Sequence, residues 1–321
     1  MPTSEDVAAL DVSVVIPTYA RETRLAFALE ALAGQTLDPD RFEVIVVRPP
    51  GARGPLATAP EDLNVRFVEA PQASRPGQRN VGWRLAEGRL IAFTDDDCRP
   101  TPEWLERLLA AADGDRVVVQ GRTEPDPDEI HLLHGLARSV RVETASPWYE
   151  TCNIAYPRTL LEELDGFDER FTGLGEDTDL GLRAIAGGAE VRFDESALVH
   201  HAVEAQPLHV AMRSGWGKWT TTPLVYREHP EHRRHLFAGV FFNRTHAAVC
   251  AALAGLLVGR RRPLLGAALA APFVAESIDT ANIGPRGLVR QLIHLPARFL
   301  RELAMVAGIV RGAIRHRTPM I

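Results

Sequence analysis

Two groups of carboxylates stand where they could do chemistry. Asp95-Asp96-Asp97 follows the apolar run Leu90-Ile91-Ala92-Phe93 and precedes Cys98 and Pro100, so three acids gather where a short buried strand leaves its sheet. Adjacent like charges raise one another's pKa, and three ionised aspartates are tolerated together only if they face water or a cation neutralises them. Oxygen-only ligands suit a hard divalent ion such as Mg2+ or Mn2+, which commonly bridges a protein carboxylate to substrate phosphates. An acidic surface turn fits the bare triad as well. The second group, Glu176-Asp177-Thr178-Asp179, follows Gly173 and Gly175 and opens a helical run through Leu180, Leu182 and Ile185. Acids in a helix's first turn are favoured by its dipole, which by itself accounts for them as caps.

The elements that must position these acids alternate along the chain. Val12-Ser13-Val14-Val15-Ile16 is β-branched and stops at Pro17-Thr18-Tyr19; Arg21 to Gly34 places Leu25, Leu29 and Leu32 at helical spacing; Phe42 to Val47 is a second strand. Strand, helix and strand in that compass predict a βαβ unit, followed by an irregular loop over Arg48 to Pro55. A strand over Val65–Val68, a helix from Gln78 to Glu87 closed by Gly88, the strand before the triad, a helix over Pro102–Ala112 and a strand at Val117–Val119 continue the pattern. The fold class is therefore α/β, a doubly wound, mainly parallel sheet flanked by helices. In such sheets ligands bind beyond the carboxyl ends of the strands, where Asp95–Asp97 stand.

The 321 residues are 45% hydrophobic, enough for a large α/β domain with an appendage. Cys98, Cys152 and Cys250 have no CxxC spacing, which predicts neither a disulfide framework nor a zinc site, in a reducing compartment. Met1 to Pro17 carries acids before its first apolar run, unlike a signal peptide. The net charge of −6 hides an asymmetry: residues 205–321 hold sixteen Lys and Arg against five acids, leaving the first 204 with twenty against thirty-seven. In the basic part, His246–Gly259 and Pro263–Ala275 are apolar runs flanking Arg260-Arg261-Arg262, each short of the roughly 20 residues that span a bilayer. They predict an interfacial helical hairpin, and Leu295–Arg317 a basic surface-lying helix. A helical subdomain packed on the catalytic domain is the other reading. Three regions are expected: a catalytic domain over 1–204, a linking and acceptor-side helical region over 205–235, and a membrane-associated helical tail over 236–321. No nucleic-acid recognition motif accompanies the basic charge.

The stretches VSVVIPTYARETRL, EVIVV, RPGQRNVGWRLAEGRLIAFTDDDCRPTPEWLERLL and NIAYPRTLLEELDGFDERFTGLGEDTDLGLRAIAGGAEVRF together resemble a family 2 glycosyltransferase of the GT-A fold, in the family's order and spacing from about Val12 to His201. The resemblance implies that Pro17, Thr18 and Tyr19 hold the nucleotide, that Asp95 and Asp96 lie near the ribose and nucleotide, and that Asp97 binds a Mg2+ or Mn2+ ion on the donor diphosphate. It implies that Arg79 and Asn80 belong to the donor site. It makes Asp177 the general base of an inverting displacement, with Glu176 orienting the acceptor or supporting the loop. His201, or alternatively His200, would lie at the metal or diphosphate, and Trp148 and Tyr149 where the acceptor region begins. One departure stands out: Arg48 occupies the place after the second strand where the family usually carries an acid for the nucleobase, which leaves uridine, thymidine and guanosine donors open.

These features imply a metal-dependent glycosyltransferase, cytoplasmic and peripheral or monotopic at the inner membrane face, acting on an envelope lipid or glycan. A non-catalytic scaffold binding a nucleotide sugar or a partner protein is the alternative from another class, favoured by Arg48 and opposed by Asp97 and Asp177. A nucleotidyltransferase would share the acidic turn but has no need of the Gly-Glu-Asp helix start.

Overall fold

The computed structural model describes residues 10–19, 21–52, 58–133, 135–278 and 285–321. The expected loop over 48–55 is thus seen only to residue 52, and residues 1–9, part of the stretch read above against a signal peptide, also lie outside the described residues. Two compact units divide the chain: Met1–Ile130, Ser139–Thr172 and Glu176–Val203 form the first, and His131–Arg138, Gly173–Gly175 and Glu204–Ile321 the second.

The first unit is built on one eight-stranded sheet. Its strands are β1 (Val12–Pro17), β2 (Phe42–Arg48), β3 (Val65–Glu69), β4 (Leu90–Thr94), β5 (Cys98–Pro100), β6 (Val117–Pro125), β7 (Asn153–Pro157) and β8 (Glu190–His201), in the order β3-β2-β1-β4-β7-β6-β8-β5. β3, β2, β1 and β4 are parallel, as the alternating pattern predicts. β7 then runs antiparallel between β4 and β6, β8 returns parallel to β6, and β5 pairs antiparallel with the end of β8. The sheet is therefore mixed in its second half. The difference arises at Asn153–Pro157, whose short apolar run carries no directional information.

Both faces of the sheet are covered. Val12, Val14 and Ile16 of β1 turn to Leu25, Leu29 and Leu32 of α1 (Glu22–Ala33), while Val15 turns the other way to Trp83 of α2 (Arg75–Leu85). This is the two-residue period of a strand buried on both sides. α2 starts three residues before the expected Gln78, because Ser74 accepts the Gly77 N–H at 3.2 Å as its cap and Pro76 fits the first turn. Gly82 brings α2 against the sheet: a Cβ there would stand 2.3 Å from Val15 Cγ1. α3 (Trp104–Ala111), α4 (Arg158–Leu164) and α5 (Glu176–Ala186) complete this unit.

The second unit is helical: α6 (Leu208–Lys218), α7 (Thr222–Glu228), α8 (Arg244–Gly259), α9 (Pro263–Ser277) and α10 (Pro285–His316). α10 lies tightly on α6, since a Cβ at Gly308 would meet the Gly215 carbonyl oxygen at 2.6 Å. The expected hairpin is present as α8 and α9. The helix expected from Leu295 is the larger part of α10, which continues through Pro296, but Val306, Ile309 and Ala313 on it are buried, so this stretch packs within the unit rather than lying bare as a surface helix. Among the described residues no helix is long and apolar enough to cross a membrane.

Candidate functional site

Every sequence-derived site residue lies in the first unit, and the sheet's topology brings most of them together. β1 and β4 are neighbours, so Thr18 at the end of one meets the acids after the other. Thr18 Oγ1 donates to Asp96 Oδ2 at 2.6 Å, and the Tyr19 backbone N–H reaches the same oxygen at 3.4 Å. Pro17 is the last residue of β1, and Tyr19 stands 40% exposed beyond it. Gln78 of α2 ties the strand ends, donating to the Thr18 and Val47 carbonyls at 2.9 and 2.8 Å.

The three aspartates have different partners. Asp95 accepts from Arg79 Nη2 at 3.0 Å; burial opposes its ionisation, but the guanidinium outweighs it and holds the carboxyl below its usual range. Burial pushes the Asp96 carboxyl up to about 6, against the pull of Arg21. The Arg21 guanidinium spans Asp96 and Asp97, 2.6 Å from each. Arg21 was not among the expected residues. Its only sequence signal was its place just after the strand end Thr18-Tyr19.

Asp97 and His201 face one another because β5 pairs with β8 in the register Cys98 to His201. His201 Nδ1 lies 2.9 Å from the Ala202 carbonyl, which can only accept, so Nδ1 carries a proton and, in the neutral ring, Nε2 offers its lone pair. Nε2 stands 3.7 Å from Asp97 Oδ1, a buried oxygen with no hydrogen-bond partner among the described residues. Asp97, Cys98 and His201 place potential ligand atoms within 4.8 Å of one another. Burial and the neighbouring Cys152 thiol push the Cys98 thiol well up, so it stays protonated and leaves an oxygen and a nitrogen as donors. An orphaned carboxylate oxygen beside a correctly tautomerised imidazole fits a divalent cation. His200, the alternative, pairs in register with Arg99 and is only half-buried.

One buried side chain joins the two acidic centres. Arg79, 2% exposed, donates through Nη1 to Glu176 Oε1 and through Nη2 to Asp95 Oδ1, both at 3.0 Å, and its guanidinium lies 5.7 Å from the Phe167 ring centre. A planar fork is suited to such a bridge. Asp177, next to Glu176 at the start of α5, accepts the Thr178 N–H at 2.8 Å. Enclosure by protein, then the like charges of Glu176 and Glu150, push its carboxyl well above the usual range. Glu150 was also missed: nothing in the sequence distinguishes it from a surface acid, yet Ser146 and Gln120 hold it here at 2.8 and 3.1 Å.

Other expected residues are placed differently. Asn80 donates to the Phe167 carbonyl and to Glu169 Oε1 and accepts the Phe167 N–H at 2.9 Å each, and accepts the Trp83 indole N–H at 3.0 Å, so it fastens α2 to the chain after α4 rather than facing the acidic turn. Tyr149 has a left-handed φ of 53° and packs on α5, where a Cβ at Gly181 would stand 2.3 Å from its ring. Trp148 accepts the Thr178 hydroxyl on its carbonyl at 2.9 Å. Arg48 donates to the Ala52 carbonyl at 2.6 Å, and its register partner on β3 is Glu69, which accepts the Gly51 N–H at 2.9 Å. The carboxylate missing from the end of β2 thus has a neighbour one strand over.

Residues 13–164 match the model of glycosyl transferase family 2. The matched stretch, just under half of the chain, is a family 2 glycosyltransferase domain. It is 31% identical over 217 residues to a validoxylamine A glucosyltransferase of Streptomyces hygroscopicus subsp. limoneus, covering 55% of this chain and 48% of that one. A pre-mycofactocin glycosyltransferase of Mycobacterium tuberculosis is 26% identical over 334 residues, covering 95% of this chain and 68% of the relative. The chain spans about half the length of the validoxylamine A glucosyltransferases that it matches. In structure the chain resembles a mannosyltransferase from Pyrobaculum calidifontis solved in complex with GDP-Man and Mn2+, with a TM-score of 0.59, 19% identity, and coverage of 97% and 90%. The fold is of the GT-A type.

Proposed function

We propose that this chain is a metal-dependent, inverting glycosyltransferase that moves a sugar from a nucleotide diphosphate to a hydroxyl of an envelope lipid or glycan at the cytoplasmic membrane face. The observation that carries the reading is the Arg79 bridge from Asp95 to Glu176, which makes the strand-end triad and the start of α5 one site. The solved complex of the Pyrobaculum enzyme with GDP-Man and Mn2+ supports a nucleotide-sugar donor and a divalent ion. The names of the relatives support glycosyl transfer.

In this reading Thr18 and Tyr19 bind the nucleotide at the end of β1, and Asp97 with His201 would hold the ion. When bound, the cation would absorb charge developing on the departing diphosphate. Asp177 takes the proton from the acceptor hydroxyl as its oxygen bonds to the anomeric carbon. The bond from that carbon to the diphosphate oxygen breaks on the opposite face, so one displacement inverts the configuration. The raised proton affinity of Asp177 makes it a better base than an ordinary carboxylate, and Glu176, held by Arg79, keeps α5 in register.

The test is transfer from radiolabelled nucleotide sugars to membrane extracts, with donor hydrolysis measured in parallel. Asp177→Asn should lower turnover by about 10²–10⁴-fold with nearly unchanged donor affinity. Metal-independent turnover, or near-full activity in Asp177→Asn, would sink the mechanism; no hydrolysis or transfer with any donor would favour a binding scaffold.

A further inference from the structure

The hairpin of α8 and α9 is anchored at its base and bare at its tip. At the base Ala248, Val249 and Ala252 pack with Phe273 and with Phe299 of α10. Toward the tip glycines bring the two helices into backbone contact, a Cβ at Gly266 falling 2.7 Å from Gly259 Cα. Beside that contact, facing outward, Leu256, Leu257 and Leu264 are 62, 72 and 87% exposed. Arg260, Arg261 and Arg262 form the turn between them and are exposed as well.

Leucines this bare at one apex need an apolar phase, and the arginines limit which one. A second copy docking tip to tip would set Arg260–Arg262 against themselves. A transmembrane role is excluded by length, since the 16 residues of α8 extend only about 24 Å against a hydrocarbon core of about 30 Å. An interface with anionic headgroups above and acyl chains below satisfies both residue types when the end of the hairpin lies along it: the outward leucines face the acyl boundary while the long arginine side chains of the turn reach back to phosphate oxygens.

We propose that the α8–α9 tip is a docking surface for anionic lipid, with Leu256, Leu257 and Leu264 entering the headgroup–acyl boundary and Arg260–Arg262 pairing with lipid phosphates. This rests on the membrane-face reading above and adds to it the surface and the lipid class.

The experiment is co-sedimentation of the full chain with vesicles of phosphatidylcholine alone or mixed with phosphatidylglycerol, at fixed salt. The wild type should bind the mixed vesicles selectively. Arg260→Ser/Arg261→Ser/Arg262→Ser should lose roughly 10²-fold in partitioning, and Leu257→Ser/Leu264→Ser about tenfold or more at unchanged charge. Thermal midpoints and donor hydrolysis without vesicles should match the wild type in both variants. Loss in both variants supports the proposal. Wild-type binding that neither variant weakens overturns the tip while leaving membrane attachment standing. Loss with the arginine variant alone overturns leucine insertion and leaves surface adsorption. No wild-type binding to anionic vesicles overturns both this proposal and the membrane-face reading, whereas glycosyl transfer is judged separately by hydrolysis.

Discussion

Asp177 combines a raised proton affinity with a position at the start of α5, where the helix dipole by itself favours the anion. Enclosure and the charges of Glu176 and Glu150 outweigh the Arg79 charge and the Thr178 N–H together. A carboxyl whose folded pKa lies above its unfolded value binds its proton more tightly when folded. The stability this contributes is complete below the unfolded pKa and lost as pH rises through the folded one. Ionised Asp177 therefore weakens the fold at neutral pH, and Asp177→Asn should raise the melting temperature at pH 7 relative to wild type while removing turnover; calorimetry of both proteins decides it. The base must be ionised to work, so turnover should fall as pH drops through the raised pKa, and a profile flat down to the ordinary carboxylate range would contradict the assignment. Arg79 gives the opposite sign. Lysine offers one point charge where Asp95 and Glu176 each take an Nη at 3.0 Å, so Arg79→Lys leaves a buried carboxylate poorly paired. A loss approaching the roughly 3–5 kcal/mol typical of a broken buried pair is expected in urea titration.

At the scale of elements, the site depends on how closely helices approach their neighbours. α5 passes Tyr149 at Gly181, and alanine there would gain helix propensity of about 1 kcal/mol yet place a methyl 2.3 Å from the ring. The clash involves a Tyr149 already held at φ 53°, and it should win. Gly181→Ala is expected to destabilise the fold and slow turnover by displacing Glu176 and Asp177. Tyr149→Gly, which relieves both the clash and the positive φ, should restore part of the stability in the double variant. Additive losses in that double-mutant cycle would show that the two residues do not meet. α2 works in the same way: Gly82 against Val15 sets the height of the helix, and Gln78 and Arg79 then reach the strand ends.

For the whole molecule, the acidic first 204 residues and the basic remainder have different tasks in the proposed function, donor chemistry in one and lipid contact in the other. A ligand that binds only the folded state at about 100 times its Kd stabilises it by about 2.7 kcal/mol. A nucleoside diphosphate with Mn2+ should therefore raise the melting temperature visibly, and EDTA or Asp97→Ala should abolish the shift. Screening uridine, thymidine and guanosine diphosphates would also name the base, which Arg48 leaves open. A metal-dependent shift that survives in Asp97→Ala would remove Asp97 from the ion's ligands.

The early strands and the acidic strand end were legible in the sequence because β-branched runs, helical leucine spacing and strand-ending prolines are local signals, decided within a few residues of Val12–Pro17 or Leu90–Thr94. The hairpin over His246–Ala275 was legible for the same reason, as two apolar runs broken by arginines. What only the tertiary structure decided is everything that depends on pairing between distant segments. β7 enters the sheet antiparallel, the β5–β8 register sets His201 rather than His200 toward Asp97, and Asn80 turns to the Phe167 backbone although it adjoins Arg79. Arg21 and Glu150 entered the site only in three dimensions, because a charged side chain on a short segment looks like any solvated residue until the fold shows which opposite or like charges face it. Residue type thus determined the available chemistry, and the sheet's register determined which of those groups act on one another.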